Sequence, residues 1–183
     1  MIARRGLLRL GLGAIAGGGL VSSASLAWAL PEAAPRRLRL LNTHTDETLD
    51  VVYYERGDYV GDALRQVSRL LRDHRTDQAH KIDPQLLDTL TAVARRTESR
   101  EPFEIISGYR SPQSNAAMRT HSGEVAKKSL HMEGRAVDVR QRGVDLDRLY
   151  AAARGLEQGG VGYYPQSRFV HVDVGAVRAW RGA

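Results

Sequence analysis

His131 precedes Asp138 by seven residues in SLHMEGRAVDV, and His171 and Asp173 stand two apart in FVHVDVG. Imidazole and carboxylate together point to a metal ion. His131, Asp138 and His171 are a sufficient set for a catalytic centre: three protein ligands, with the fourth position left for water. One zinc ion suits such borderline ligands best. A zinc-bound water has its pKa lowered from about 15.7 towards 7, which provides hydroxide at neutral pH. A dication would also explain Asp138, a carboxylate inside a short apolar stretch that would otherwise resist its burial. The sequence has no cysteine, so thiol catalysis and disulfides are excluded and a zinc site must use His, Asp or Glu. No G-x-S-x-G occurs, which disfavours a nucleophile-elbow serine hydrolase.

Strands are needed to bring these groups together. In AVDVR, Val137 and Val139 point one way and Ala136, Asp138 and Arg140 the other. In FVHVDVG, Val170, Val172 and Val174 share one face, and Phe169, His171 and Asp173 the opposite one. Each strand thus buries valines on one side and presents ligand-type residues on the other. Spacing and periodicity alone leave a plainer reading open, in which Asp138 bonds a turn backbone and the histidines are ordinary polar residues.

The remaining elements mix hairpins with helices. RLRLLN and LDVVYYE flank THTDET as a hairpin. GDALRQVSRLLRDH places Leu64, Val67, Leu70 and Leu71 on one helical face. DPQLLDTLTAVARR begins with Asp83 as N-cap and Pro84 at the first helical position. FEIISGYR reads as a strand entering a turn, and residues 111–130 as a short helix followed by a loop. DLDRLYAAARGL reads as a third long helix capped by Asp145, and GVGYYP and FVHVDVG as two closing strands. The pattern predicts an α+β domain, a small antiparallel sheet covered by helices.

The first 29 residues carry Arg4, Arg5 and Arg9, no acidic group, an apolar Gly-rich run and the exit Ala27-Trp28-Ala29. This is the pattern of an export signal, with the paired arginines of the twin-arginine kind. The expected organisation is signal at 1–29, linker at 30–37 and domain at 38–183. The run is too diluted by Gly and Ser for a strong membrane span, so no stable membrane insertion is expected after cleavage. Of 27 basic residues, three leave with the signal; the remaining 24 against 21 acidic give +3. That excess does not argue for nucleic acid.

SGYRSPQSN, SLHMEGRAVDV, GGVGYYPQSRFVHVDVG and the final RAW resemble, in order, the YcbK-like murein endopeptidases. These belong to the zinc D-Ala-D-Ala metallopeptidase superfamily, with lysostaphin-type enzymes and the hedgehog signalling domain. The resemblance runs from about residue 38 to Trp180. It implies a hedgehog/D-Ala-D-Ala-peptidase-like zinc domain, exported to the periplasm and hydrolysing peptide crosslinks between peptidoglycan stem peptides. By motif position His131, Asp138 and His171 would be the ligands of one zinc. Arg110 in SGYRS would face the scissile carbonyl, where a guanidinium stabilises the developing oxyanion.

One departure concerns the general base. Many superfamily members place it just before the last ligand, as ExxH or HxH, but Arg168 and Phe169 stand there. Asp173 is the first substitute, sharing a strand face with His171. Glu133, between two ligands in sequence, is the second, and a zinc hydroxide needing little help is the third. A non-catalytic zinc-stabilised cell-wall-binding module and a D,D-carboxypeptidase are the alternative functions. Ser129 is a possible partner of His131, and Lys127 and Lys128 border the site loop. Tyr109, Tyr163 and Tyr164 are open to lining a cleft but read better as packing residues, Trp180 reads as a C-terminal packing residue, and His44, His74, His80 and His121 as surface or structural ones.

Overall fold

Leu38 and Leu40 alternate with Arg37 and Arg39, giving the first strand one apolar face and one charged face. In the computed structural model, which describes residues 34–121 and 125–182, β1 (Arg36–Asn42) pairs antiparallel with β2 (Thr48–Glu55). The expected signal and the first half of the linker lie outside the described residues. The strand starts within the stretch read as linker, because Arg36 and Arg37 pair with Tyr54 and Val52 of β2. A two-residue strand, β3 (Asp58–Tyr59), extends this edge.

Helix α1 (Gly61–Leu70) buries Ala63, Val67 and Leu70. It stops short of the predicted end, since residues 72–76 form a turn around Asp73. Helix α2 (Pro84–Thr97) starts as expected: the Asp83 carboxylate accepts from the Gln85 amide at 3.0 Å. Strand β4 (Phe103–Ser107) leads into α3 (Pro112–Arg119), capped by Ser111. A short 3₁₀ turn (Leu130–Glu133), read from the sequence as loop, ends at Gly134 with φ 66°, a conformation that favours glycine. Then follow β5 (Ala136–Gln141), α4 (Leu146–Arg154), β6 (Gly160–Tyr164), β7 (Phe169–Asp173) and β8 (Arg178–Arg181). Asp145 precedes α4 as predicted, but its side chain makes no capping bond.

The fold is α+β. Its sheet has eight strands in the order β3-β2-β1-β4-β5-β7-β6-β8. The expected small antiparallel sheet is thus larger and mixed: β1–β4 and β6–β8 run parallel and the other pairs antiparallel. Val137, Val139, Val170 and Val172 are buried in one core with Leu86, Leu87, Leu90 and Leu149 of the helices. The face opposite this apolar layer carries the polar residues of β5 and β7.

Candidate metal centre

Register brings the ligands together. In the β5–β7 pair Asp138 lies directly opposite His171, and Ala136 opposite Asp173. Directly opposed residues on one face have Cβ atoms about 4.5–5.5 Å apart, close enough to share one ion. His131 reaches the same point from the 3₁₀ turn before β5. A register shift in β4 between Ile105 and Ser107 sets Ser107 opposite Asp138.

Hydrogen bonds on the outer side of each ring fix its tautomer. His131 Nδ1 lies 2.7 Å from the Gly108 carbonyl oxygen, which only accepts, so this nitrogen donates and Nε2 keeps its lone pair. His171 Nε2 donates to Asp173 Oδ2 at 3.1 Å, which leaves Nδ1 facing inward. Three acceptors then converge: His131 Nε2 and His171 Nδ1 are 3.2 Å apart, and they lie 3.3 and 2.8 Å from Asp138 Oδ1. Donors of a tetrahedral ion with bonds near 2.0–2.1 Å stand about 3.3 Å apart, so this cluster fits zinc. The three residues are the metal-holding group found among the described residues.

The charges agree with that geometry. Burial would raise the Asp138 carboxyl, but the His131 and His171 imidazoles outweigh it and hold it well below the usual carboxylate range. Burial lowers His171, but its bonds to Asp138 and Asp173 prevail and raise it to about 9.

Asp173 is 1% exposed and fully engaged. Its Oδ1 accepts from the Gly160 and Gly175 amides at 2.9 and 2.8 Å, and Arg178 grips both oxygens at 3.2 and 2.5 Å. Gly160 leaves room for this grip, since a Cβ there would collide with the Asp173 carboxylate and the Arg178 guanidinium. The structure therefore places Asp173 behind His171. Glu133 is not brought to the cluster: it is exposed and pairs with Arg135 at 3.2 Å.

Arg110 is brought in. It is 6% exposed, its backbone amide donates to the His131 carbonyl at 3.1 Å, and Nη2 lies 3.8 Å from Asp138 Oδ2. Its other side-chain contacts among the described residues are long bonds to Asn115 and Ser107 at 3.3 and 3.4 Å, and its buried Nε has no partner among them. Burial lowers this guanidinium, Asp138 opposes the lowering, and the nearby charge of Arg75 adds to it.

The cluster opens into a cleft of about 430 Å³. Tyr164 and Trp180, read from the sequence as packing residues, line it, as does His44. The Trp180 indole donates to the Tyr164 hydroxyl at 2.9 Å, and its ring centre is 5.2 Å from that of His171. Trp180 arrives there because β8 joins β6 in parallel, pairing Trp180 with Gly162. His74 stacks on His44 and His80 on Tyr109.

The family model described as peptidoglycan L,D-endopeptidase MepK, a peptidase family of the M15 group, matches residues 31–180. The chain belongs to this family of murein endopeptidases. It is 38% identical over 177 residues to the peptidoglycan L,D-endopeptidase MepK of Escherichia coli K12, covering 97% of this chain and 96% of the relative. It is 39% identical over 174 residues to a probable MepK of Haemophilus influenzae, covering 94% of each. No solved structure matches the chain with significance. The M15 peptidases include the zinc D-Ala-D-Ala enzymes, and the chain is a peptidase of that lineage.

Proposed function

We propose that this chain is a zinc-dependent endopeptidase cleaving peptide crosslinks of the L,D type in peptidoglycan, outside the cytoplasm. The observation that carries this is the convergence of three lone-pair atoms, of His131, Asp138 and His171, at tetrahedral spacing with every outward N–H already bonded. The L,D assignment follows the relatives' names. Zinc bound there supplies Lewis acidity and a water acidic enough to deprotonate near neutral pH. The Gly108 carbonyl and Asp173 hold the two imidazoles in the metal-binding tautomer and orientation. Arg110 has N–H groups to spare beside the cluster, and it donates to the oxygen of the scissile carbonyl as negative charge grows there.

The part of general base goes to neither carboxylate candidate. Asp173 is committed to Arg178, two amides and His171, and Glu133 faces solvent. Asp138 and Asp173 are the carboxylates that line the cleft among the described residues. A water held by zinc there would have no free carboxylate of the cleft to take its proton, and Asp173 would act by orienting His171. The paired arginines at Arg4 and Arg5 direct export by the twin-arginine route.

Elemental analysis tests the centre. Purified protein should hold one zinc per chain, and His171→Ala should lose it together with crosslink cleavage. A His171→Ala variant with full zinc would remove His171 from the ligand set.

A further inference from the structure

Two cations line the metal cleft without a carboxylate partner among the described residues: Arg75 and Lys128. Both are exposed. Arg178, which also lines it, is spent on Asp173, and Arg110 reaches no carboxylate oxygen closer than 3.8 Å. Four cations line the cleft against Asp138 and Asp173, and one buried residue holds two of the segments that carry them. Asp73, 1% exposed, accepts from the Arg75 amide at 3.0 Å through Oδ1 and from the Ser111 amide at 2.9 Å through Oδ2. Ser111 follows Arg110 directly. Asp73 thereby fastens the turn bearing Arg75 to the loop bearing Arg110; its oxygens are taken by amides and by the Ser111 and Ser114 hydroxyls, and it pairs directly with neither guanidinium, although its charge offsets part of their repulsion at Arg110. Two like charges are held at one cleft, close enough for Arg110 to feel Arg75, and Arg110 keeps a buried Nε without a partner. Like charges so placed repel each other, and an anion between them relieves the repulsion.

We infer that Arg75, flanked by Lys128, is the part of this cleft that binds a free carboxylate of the substrate next to the scissile amide. This rests on the endopeptidase reading and adds a substrate class to it. When the amine of a crosslink belongs to a diamino dicarboxylic acid, a carboxylate sits on the same carbon as the scissile nitrogen. That group lies within one residue of the reacting carbonyl, and Arg75 shares the cleft with Arg110 through the segments that Asp73 ties together. Guanidinium and carboxylate match in shape and charge, so the acid is held and its amide is not. Stems whose carboxyl is amidated, or whose diamino acid lacks it, are the poorer substrates.

The test uses two purified crosslinked muropeptide dimers that differ only in a free or amidated carboxyl beside the crosslink. The zinc-loaded protein should favour the free acid by about tenfold or more in kcat/KM, mainly through KM, as expected for a hydrogen bond to a charged group. Arg75→Gln should bring the ratio to within about twofold of one without changing zinc content, and Arg75→Lys should restore part of it. Titration of both dimers into zinc-depleted protein, followed by Trp180 fluorescence, should show the same preference in Kd. Equal handling of acid and amide by the wild-type protein, or an unchanged ratio in Arg75→Gln, overturns the inference. If neither dimer is cleaved, the endopeptidase reading fails by itself, and the titration still decides whether the carboxylate site exists.

Discussion

Asp173 accepts from Gly160, Gly175, Arg178 and His171 while almost wholly buried, so it has no lone pair to spare for a substrate proton. Its effect passes through the His171 ring. Asp173→Asn keeps the shape but can offer an N–H to His171 Nε2, which favours the tautomer with a proton on Nδ1, inside the ligand cluster. Zinc affinity should fall about 10–100-fold, with cleavage largely recovered in excess zinc. Normal zinc content with cleavage at least about 100-fold slower would instead make Asp173 the base. Arg110→Lys keeps a charge but loses the fork, and kcat should fall by about 100-fold with zinc content intact. A variant with unchanged kcat would take Arg110 out of the reaction. The clustering of the proposed ligands was legible because alternation along two strands puts Asp138 and His171 on the face away from the valines. The role of Asp173 was not, because its amide partners come from residues 160 and 175, which no local pattern connects to it.

At the scale of elements, the site depends on how the turn after α1 is tied to the loop after β4. Asp73 makes that tie. Burial raises its carboxyl, but hydrogen bonds from Ser114, Ser111 and the Arg75 amide prevail and hold it well below the ordinary carboxylate value. A carboxyl lowered on folding stabilises the fold above the unfolded value of about 3.9, and that stability is lost as pH falls further towards the folded value. Asp73→Ala should cost roughly 1–3 kcal/mol for each amide left unpaired, and the variant should lose less stability than the wild type below about pH 4. Urea titrations at pH 7 and pH 3.5 check this; parallel losses in both proteins would show that Asp73 contributes no acid dependence. The sequence pattern showed the helix at 84–97 and the hairpin of β6 and β7, where local periodicity and capping decide. It missed β8 and the parallel pairing with β6, since Arg178–Arg181 has no alternation and gains its place from a distant strand. Trp180 was misjudged for that reason, and for Tyr164 the less favoured reading, a cleft-lining ring, is the one the assembled sheet bears out.

For the whole molecule, location and substrate go together, because the polymer lies outside the cytoplasm. Arg4→Lys with Arg5→Lys should leave precursor in the cytoplasm, seen by cell fractionation. Undisturbed export of mature protein would point to the general secretory route. The charge of +3 left if the proposed signal is removed is modest, and positive side chains are gathered at one cleft, beside the proposed ligand cluster. The central claim is that this cluster cuts crosslinks with zinc. The measurement that tests it most directly is digestion of purified sacculi by zinc-loaded and EDTA-treated protein, with the released muropeptides separated by chromatography. Crosslinked dimers should become monomers with the zinc-loaded protein alone, and zinc restored after EDTA should bring the activity back. Dimers that persist under both conditions would leave a binding module, and stems shortened without loss of dimers would mean a carboxypeptidase; either result contradicts the account.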